Sequence, residues 1–239
     1  MSNNKIIEKT QTYFDGKNVE NNKQSADQYI KNFLEKMIAG QVCLHPAGTL
    51  YGLTCDPYNK AAVKLLFKMK KRLPEKSLLH LTDQIAKAVR IWEPLPGKWE
   101  PILSKIWPNH LTVVWKLKAE FKEKFHNTDG TLGIRIPAYN AVKSINSSLW
   151  FEKILREFEY PVPTTSINYS GFEDLKKKHE IISFCKQHNV HHIPSFISDS
   201  EVAGIPSTII KIISEDTFKV LRHGAFDASN LLVHNIRQI

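Results

Sequence analysis

Lysine and arginine crowd one stretch of this chain: between Lys60 and Lys76 stand six lysines and Arg72 against a single acid, Glu75. Cations at that density either solvate a helix face or gather phosphates. Helical phase separates them. At about 100° per residue, Val63, Leu66 and Phe67 define an apolar arc with Lys70 in its middle, while Lys64, Lys68 and Lys71 share a neighbouring, wetter arc. Lys70 is therefore the lysine turned inward, at the end of its helix, with Arg72 just beyond. Two readings stay open. Lys70 snorkels and interacts with the helix C-terminus, or Lys70, Arg72 and Lys76 project into a cleft to hold phosphates.

A second constellation is Thr164-Thr165-Ser166-Ile167-Asn168-Tyr169-Ser170-Gly171. Short polar side chains at the C-terminal end of a strand are where α/β proteins put ligand contacts, and the same residues also serve as a turn into a following helix. Arg135, in Gly133-Ile-Arg-Ile-Pro137, is a third candidate. Flanked by two isoleucines in a strand, its guanidinium points to the opposite face, where it needs an anionic ligand or a structural carboxylate. Cys185 with His188, His191 and His192 fits no standard zinc spacing, so no metal site is expected there.

Absences narrow the chemistry. There is no GxxxxGK[ST], GxGxxG, HExxH or GxSxG, and with only 10 glycines a nucleotide site must rely on side-chain cations and hydroxyls. The five tryptophans lack the interleaved basic and aromatic rhythm of an RNA-stacking surface. A net charge of +9 still favours anionic partners: nucleotides, RNA or acidic proteins. No apolar run approaches the roughly 18–20 residues of a membrane span, and the N-terminus lacks a signal-peptide stretch. Three cysteines without a CxxC pair point to a reduced, cytoplasmic chain.

These side chains need elements to hold them. Residues 1–24 read as a polar, poorly ordered lead-in, and 25–239 as one domain. Ser25 with Gln28 makes a capping box that opens a helix to Gly40. Helices are further expected at Asn59–Lys71, with Asn59 as N-cap, and at Asp83–Trp92, Lys98–Ile106, about Ala141–Phe158 and Glu173–His188. Strands are expected at Gln41–His45, Leu78–Thr82, Leu111–Leu117, Gly133–Ile136, Val162–Ser166, His192–Ile197, Ser207–Ile213 and Phe218–Leu221. Helices and strands intermingle throughout, which predicts an α/β sheet flanked by helices.

Taken in order, these segments resemble the YrdC-like family of threonylcarbamoyl-AMP synthases. Pro46-Ala-Gly-Thr-Leu-Tyr-Gly-Leu53 with Asp56 is similar to PTDTVYGL, and Lys70-x-Arg72 with Lys76 to the KxR signature. Trp107-Pro-Asn-His-Leu-Thr112 is similar to WPGPLT, and Gly133–Pro137 to VRIP. Thr165–Gly171 is similar to TSANLSG, Pro206-Ser-Thr-Ile-Ile210 to PSTVV, and Leu221-Arg-His-Gly224 to LRPG. The resemblance spans about residues 25–226.

It implies a YrdC-like single domain, a twisted mixed β-sheet flanked by helices around a basic cavity. It also implies a reaction in which L-threonine, bicarbonate and ATP, with Mg2+, give threonylcarbamoyl-AMP and pyrophosphate for a tRNA adenosine next to the anticodon. Downstream partners would then be tRNA and tRNA-modification proteins, and no membrane. By the same resemblance Lys70 and Arg72 are catalytic, and Lys70, Arg72, Lys76, Thr112, Ser166, Asn168, Ser207 and Arg222 bind ATP. Thr49, Arg135, His80 and Ser166 bind threonine. The chain departs from the family pattern at Ala47, which replaces a threonine, at Asn109-His110, and at Ile167; His80 stands one residue out of register with a family histidine. Two other readings remain: a divergent nucleotide-binding paralogue with another substrate, and a non-catalytic RNA- or ribosome-binding module.

Overall fold

A computed structural model describes residues 21–47, 50–70, 78–125, 129–139, 148–168, 172–192, 197 and 204–239. Helix α1 (Asn21–Ile38) is followed by strands β1 (Cys43–Pro46) and β2 (Tyr51–Thr54), helix α2 (Lys60–Met69) and strand β3 (Leu79–Leu81). Helices α3 (Ile85–Ile91) and α4 (Trp99–Ile106) precede β4 (Leu111–Lys116) and β5 (Thr131–Arg135). Then come α5 (Ser148–Glu157), β6 (Val162–Ser166), α6 (Lys178–Gln187), β7 (Thr208–Ile212), β8 (Thr217–Arg222) and β9 (Arg237–Gln238).

The strands form one nine-stranded mixed sheet in the order β1-β2-β6-β3-β5-β4-β7-β8-β9, with β3–β5, β4–β7 and β8–β9 parallel and the other pairs antiparallel. Residues opposite one another in a ladder share a face, as do residues two apart in a strand. His45 lies across from Gly52, Gly52 from Ser166, Leu79 from Thr164 and Leu81 from Arg135. All of these therefore look out from one face. Across the sheet, Ile209 pairs with Arg222 while the next pair is Ile210 with Val220, so the register shifts by one residue there.

Among the described residues, four helices pack on the far face. Leu44 and Leu53 pack under α2 and α6, through Val63, Leu66, Ile181 and Phe184. Val113, Ile134 and Ile210 pack under α3 and α4, through Ile91, Trp99 and Leu103. On the near face, α1 and α5 cover only one part, packing Phe33, Met37 and Phe151 against Cys43, Leu81 and Val162. Among the described residues, the rest of that face borders a cavity.

Local signals explain most boundaries. Asn59 caps α2, its Oδ1 accepting from the N–H groups of Ala61 and Ala62 at 3.1 Å each. Other expectations are corrected. Helix α1 runs back to Asn21, so Ser25 lies inside the helix rather than at its cap. Helix α6 begins at Lys178 and not Glu173, because the N–H of Leu175 is spent on the carbonyl of Ile167 at 2.9 Å, tying this segment to the end of β6. The sequence pattern marks neither β2 nor β9. Of the strand expected at His192–Ile197, residues 193–196 lie outside the described residues, and its neighbour His191 makes an isolated parallel bridge to Cys43.

Candidate active site

The open part of the near face holds a cavity of about 190 Å3 lined by Arg135, Arg222, Thr164, Ser166, Ser207 and Asp174 among polar residues, and by Leu50, Leu79 and Ile209 among apolar ones. Two guanidiniums face one carboxylate among the described lining residues, which makes the cavity a host for anions.

One predicted group gathers at the end of β6. Lys70 follows α2 directly and is 3% exposed, so the inward phase read from the sequence holds. Its ammonium donates to the carbonyl of Ser166 at 2.7 Å, to Ser166 Oγ at 3.4 Å and to Asn168 Oδ1. Ser166 Oγ also donates to Asn168 Oδ1 at 3.0 Å, and the Asn168 amide donates to the carbonyl of Phe172 at 2.5 Å. Lys70, Ser166 and Asn168 are thus one cluster. Arg72, Lys76 and Thr49 lie outside the described residues.

A second group forms where β7 begins and β8 ends. Arg222 donates from Nε and Nη2 to the carbonyl of Ser207 at 3.0 and 2.8 Å, and from Nη2 to Ser207 Oγ at 3.2 Å. Ser207 Oγ in turn lies 2.8 Å from Thr112 Oγ1. Gly224 makes this contact possible: a Cβ there would come 2.2 Å from the carbonyl oxygen of Pro206 and 2.6 Å from the nitrogen of Thr208, so only glycine lets the two backbones meet. Burial lowers the pKa of Arg222, and the nearby carboxylate of Asp174 opposes that shift.

Arg135 stands between the two groups at the end of β5. It is buried, and its Nη2 donates to the carbonyl of Ala47 at 2.9 Å. No carboxylate pairs with it among the described residues, so the structural pairing left open by the sequence is not what holds it there. Burial pulls its pKa down to about 10, Tyr139 acts against that shift, and the charge of Arg222 adds to it. A buried cation held by one neutral carbonyl is poised for an anion.

His80 does not join the cavity. Side chains alternate along β3, so with Leu79 facing the cavity His80 faces the far side, where its Nδ1 lies 3.2 Å from the carbonyl of Leu78 and its ring meets Phe125 edge-on at 5.3 Å. Burial drives its pKa down to about 3. Among the described residues no group of three or more His, Cys, Asp or Glu is placed to hold a metal ion, and no helix is long and apolar enough to cross a membrane.

Sequence reasoning did not single out Thr164 for its own contacts, nor His45, Gly52 or Asp174. Thr164 Oγ1 lies 2.8 Å from His45 Nε2, and His45 stacks on Phe151 at 4.2 Å. No local pattern could have found that pair, since 119 residues separate its members.

Known proteins with this architecture extend the picture. A family model described as "Telomere recombination", covering Sua5, YciO and YrdC proteins, matches residues 35–224. A threonylcarbamoyl-AMP synthase from Pseudoalteromonas translucida is 28% identical over 134 residues, 55% of this chain and 67% of that protein. P. abyssi Sua5 complexed with L-threonine superposes with a TM-score of 0.72 at 21% identity, covering 89% of this chain and 59% of that one. E. coli YciO superposes with a TM-score of 0.70 at 18% identity, covering 85% of this chain and 93% of that one. The chain therefore spans less than two thirds of the Sua5 length and nearly all of YciO. From the family match over most of its length, and from a twisted mixed sheet shared with these structures, the chain belongs to the Sua5/YciO/YrdC family.

Proposed function

We propose that this protein is a threonylcarbamoyl-AMP synthase, joining L-threonine, bicarbonate and ATP into threonylcarbamoyl-AMP with release of pyrophosphate and water. The observation that carries the reading is that two guanidiniums, the buried Arg135 and the more exposed Arg222, share one hydroxyl-lined cavity. The names of the matching relatives and the L-threonine held by P. abyssi Sua5 support it.

The threonine amine attacks the carbon of bicarbonate to give a carbamate, losing water. A carbamate oxygen then attacks the α-phosphorus of ATP, and the bond to the pyrophosphate oxygen breaks. Both steps join anions, so the protein's task is to orient them and offset charge. In this reading Arg135 binds the threonine carboxylate through its planar fork. Arg222, Ser207 and Thr112 hold the nucleotide. Lys70, with Arg72 and Lys76, neutralises charge on the leaving pyrophosphate, while Ser166 and Asn168 contact the phosphates or the carbamate. Mg2+ would come with ATP as part of that substrate and would offset charge on the triphosphate. The product serves tRNA modification, in a reaction that moves the threonylcarbamoyl group onto an adenosine.

Pyrophosphate release from Mg-ATP and bicarbonate, with and without L-threonine, tests the proposal. Threonine-dependent release is expected, and Arg135→Ala should abolish it. A second reading, a paralogue acting on another amino acid, is favoured by Ala47 in the cavity wall where the family pattern has threonine. Release that depends on a different amino acid would select it, and failure to bind ATP would overturn both.

A further inference from the structure

We infer that His45 is a positioning residue: it fixes the Thr164 hydroxyl as a hydrogen-bond acceptor in the cavity wall, where it receives an N–H of the amino-acid substrate. The second half of this inference rests on the proposed function.

Donor and acceptor follow from the chemistry of the atoms. A carbonyl oxygen only accepts, so the 2.9 Å contact between His45 Nδ1 and the carbonyl of Pro46 puts the ring proton on Nδ1. In a neutral ring Nε2 then carries only a lone pair. The 2.8 Å contact between Nε2 and Thr164 Oγ1 must be made by the threonine proton. The ring is fully buried and stacked on Phe151 with 14° between the planes. Burial brings its pKa down to about 3, and the nearby charge of Arg135 pushes the same way. An imidazolium, which would reverse the bond to Thr164, is therefore excluded near neutral pH.

The bond is open to the cavity because of Gly52. A Cβ at that position would lie 2.7 Å from His45 Nε2 and 3.1 Å from Thr164 Oγ1. Gly52 and Thr164 both line the cavity. Having given its proton to His45, Oγ1 has only lone pairs left to offer there. It orients a ligand N–H and does not remove the proton, since a hydroxyl is no base at neutral pH. Only β3 separates Thr164 on β6 from Arg135 on β5. An amino acid whose carboxylate lies on Arg135 can thus turn its amine toward Thr164.

The test combines kinetics with ring spectroscopy. His45→Phe keeps an aromatic ring against Phe151 and removes Nε2, which frees the Thr164 proton. It should raise the KM for L-threonine about ten-fold or more while leaving the KM for ATP unchanged. Thr164→Val should do the same, Thr164→Ser should behave like wild type, and the double variant with both His45→Phe and Thr164→Val should be no worse than Thr164→Val alone. Equal rises in both KM values, or effects that multiply in the double variant, would make His45 a packing residue and overturn the inference. Nitrogen-15 shifts of the wild-type His45 ring need no substrate. A protonated Nδ1 with a bare Nε2 is expected, and the opposite tautomer or an imidazolium overturns the positioning role. Wild-type protein without threonine-dependent pyrophosphate release would overturn the substrate assignment, and the ring shifts decide the positioning role independently.

Discussion

Ser207 and Thr164 are hydroxyls in the wall of one cavity, yet their neighbours give them different characters. Ser207 Oγ accepts from the Arg222 guanidinium at 3.2 Å and shares a 2.8 Å contact with Thr112, so a cation dominates its surroundings. Thr164 Oγ1 donates to a neutral, buried imidazole and keeps only lone pairs for the cavity. Side-chain type alone does not set what a hydroxyl recognises; the partner behind it does. The β7–β8 end of the cavity suits an anion, and the β1–β6 end suits an N–H.

The strongest way to break that contrast is Arg222→Ala. It removes three hydrogen bonds to Ser207 and a cation from the cavity wall, and should raise the KM for ATP about 100-fold with a far smaller change for the amino acid. Arg222→Lys should fall between, because an ammonium keeps the charge but not the fork. Steady-state kinetics with each substrate varied in turn reads both. An equal rise for the two substrates would mean that the ends of the cavity are not distinct.

Gly52→Ala attacks the other end. Its Cβ would have to push His45 and Thr164 apart, so the KM for the amino acid should rise about ten-fold, at a stability cost of about 1–3 kcal/mol seen in denaturant unfolding.

Acid sharpens the comparison more gently. His45 and His80 are neutral when folded, with pKa values brought down to about 3 by burial, against about 6.5 in the unfolded chain. Below pH 6.5 the unfolded chain binds protons that the folded chain refuses. Stability should therefore be greatest above about pH 6.5 and fall as the pH drops toward 3. His45→Phe should make this loss shallower, measured as Tm against pH. An unchanged slope would mean that the buried ring does not stay neutral.

Asn59→Ala should have the smallest effect: about 1 kcal/mol of stability through the lost cap, with kcat/KM for both substrates unchanged. A selective loss of ATP binding would instead tie the start of α2 to the cluster around Lys70 at its far end.

The sequence made some of this plain and concealed the rest for physical reasons. Helical phase turned Lys70 inward because the apolar arc of α2 is continuous, and the Asn59 cap marked where that helix starts. The bounds of β6 are legible because Pro161 and Pro163 precede a run of hydroxyls and an amide. Strand β2 is hidden behind Pro46 and Gly48, which read as a break, and its Gly52 is a strand residue whose missing side chain makes room for the His45 ring. His80 stands one position from the cavity-facing Leu79, which in a strand is the difference between one face and the other. His45 carried no signal at all, since its role depends on a threonine distant in sequence.

The register shift between Ile209 and Ile210 acts on β8 as a one-letter insertion acts on a message. Up to Val220 the strand alternates in step with its partner, and without the shift Leu221 would stand across from Ile209 and look into the cavity. The extra place hands that slot to Arg222 and leaves Leu221 half exposed, at 50%. The charge at this end is thus written in the count of residues as much as in their identity. The same letters in unbroken register would spell a greasy wall.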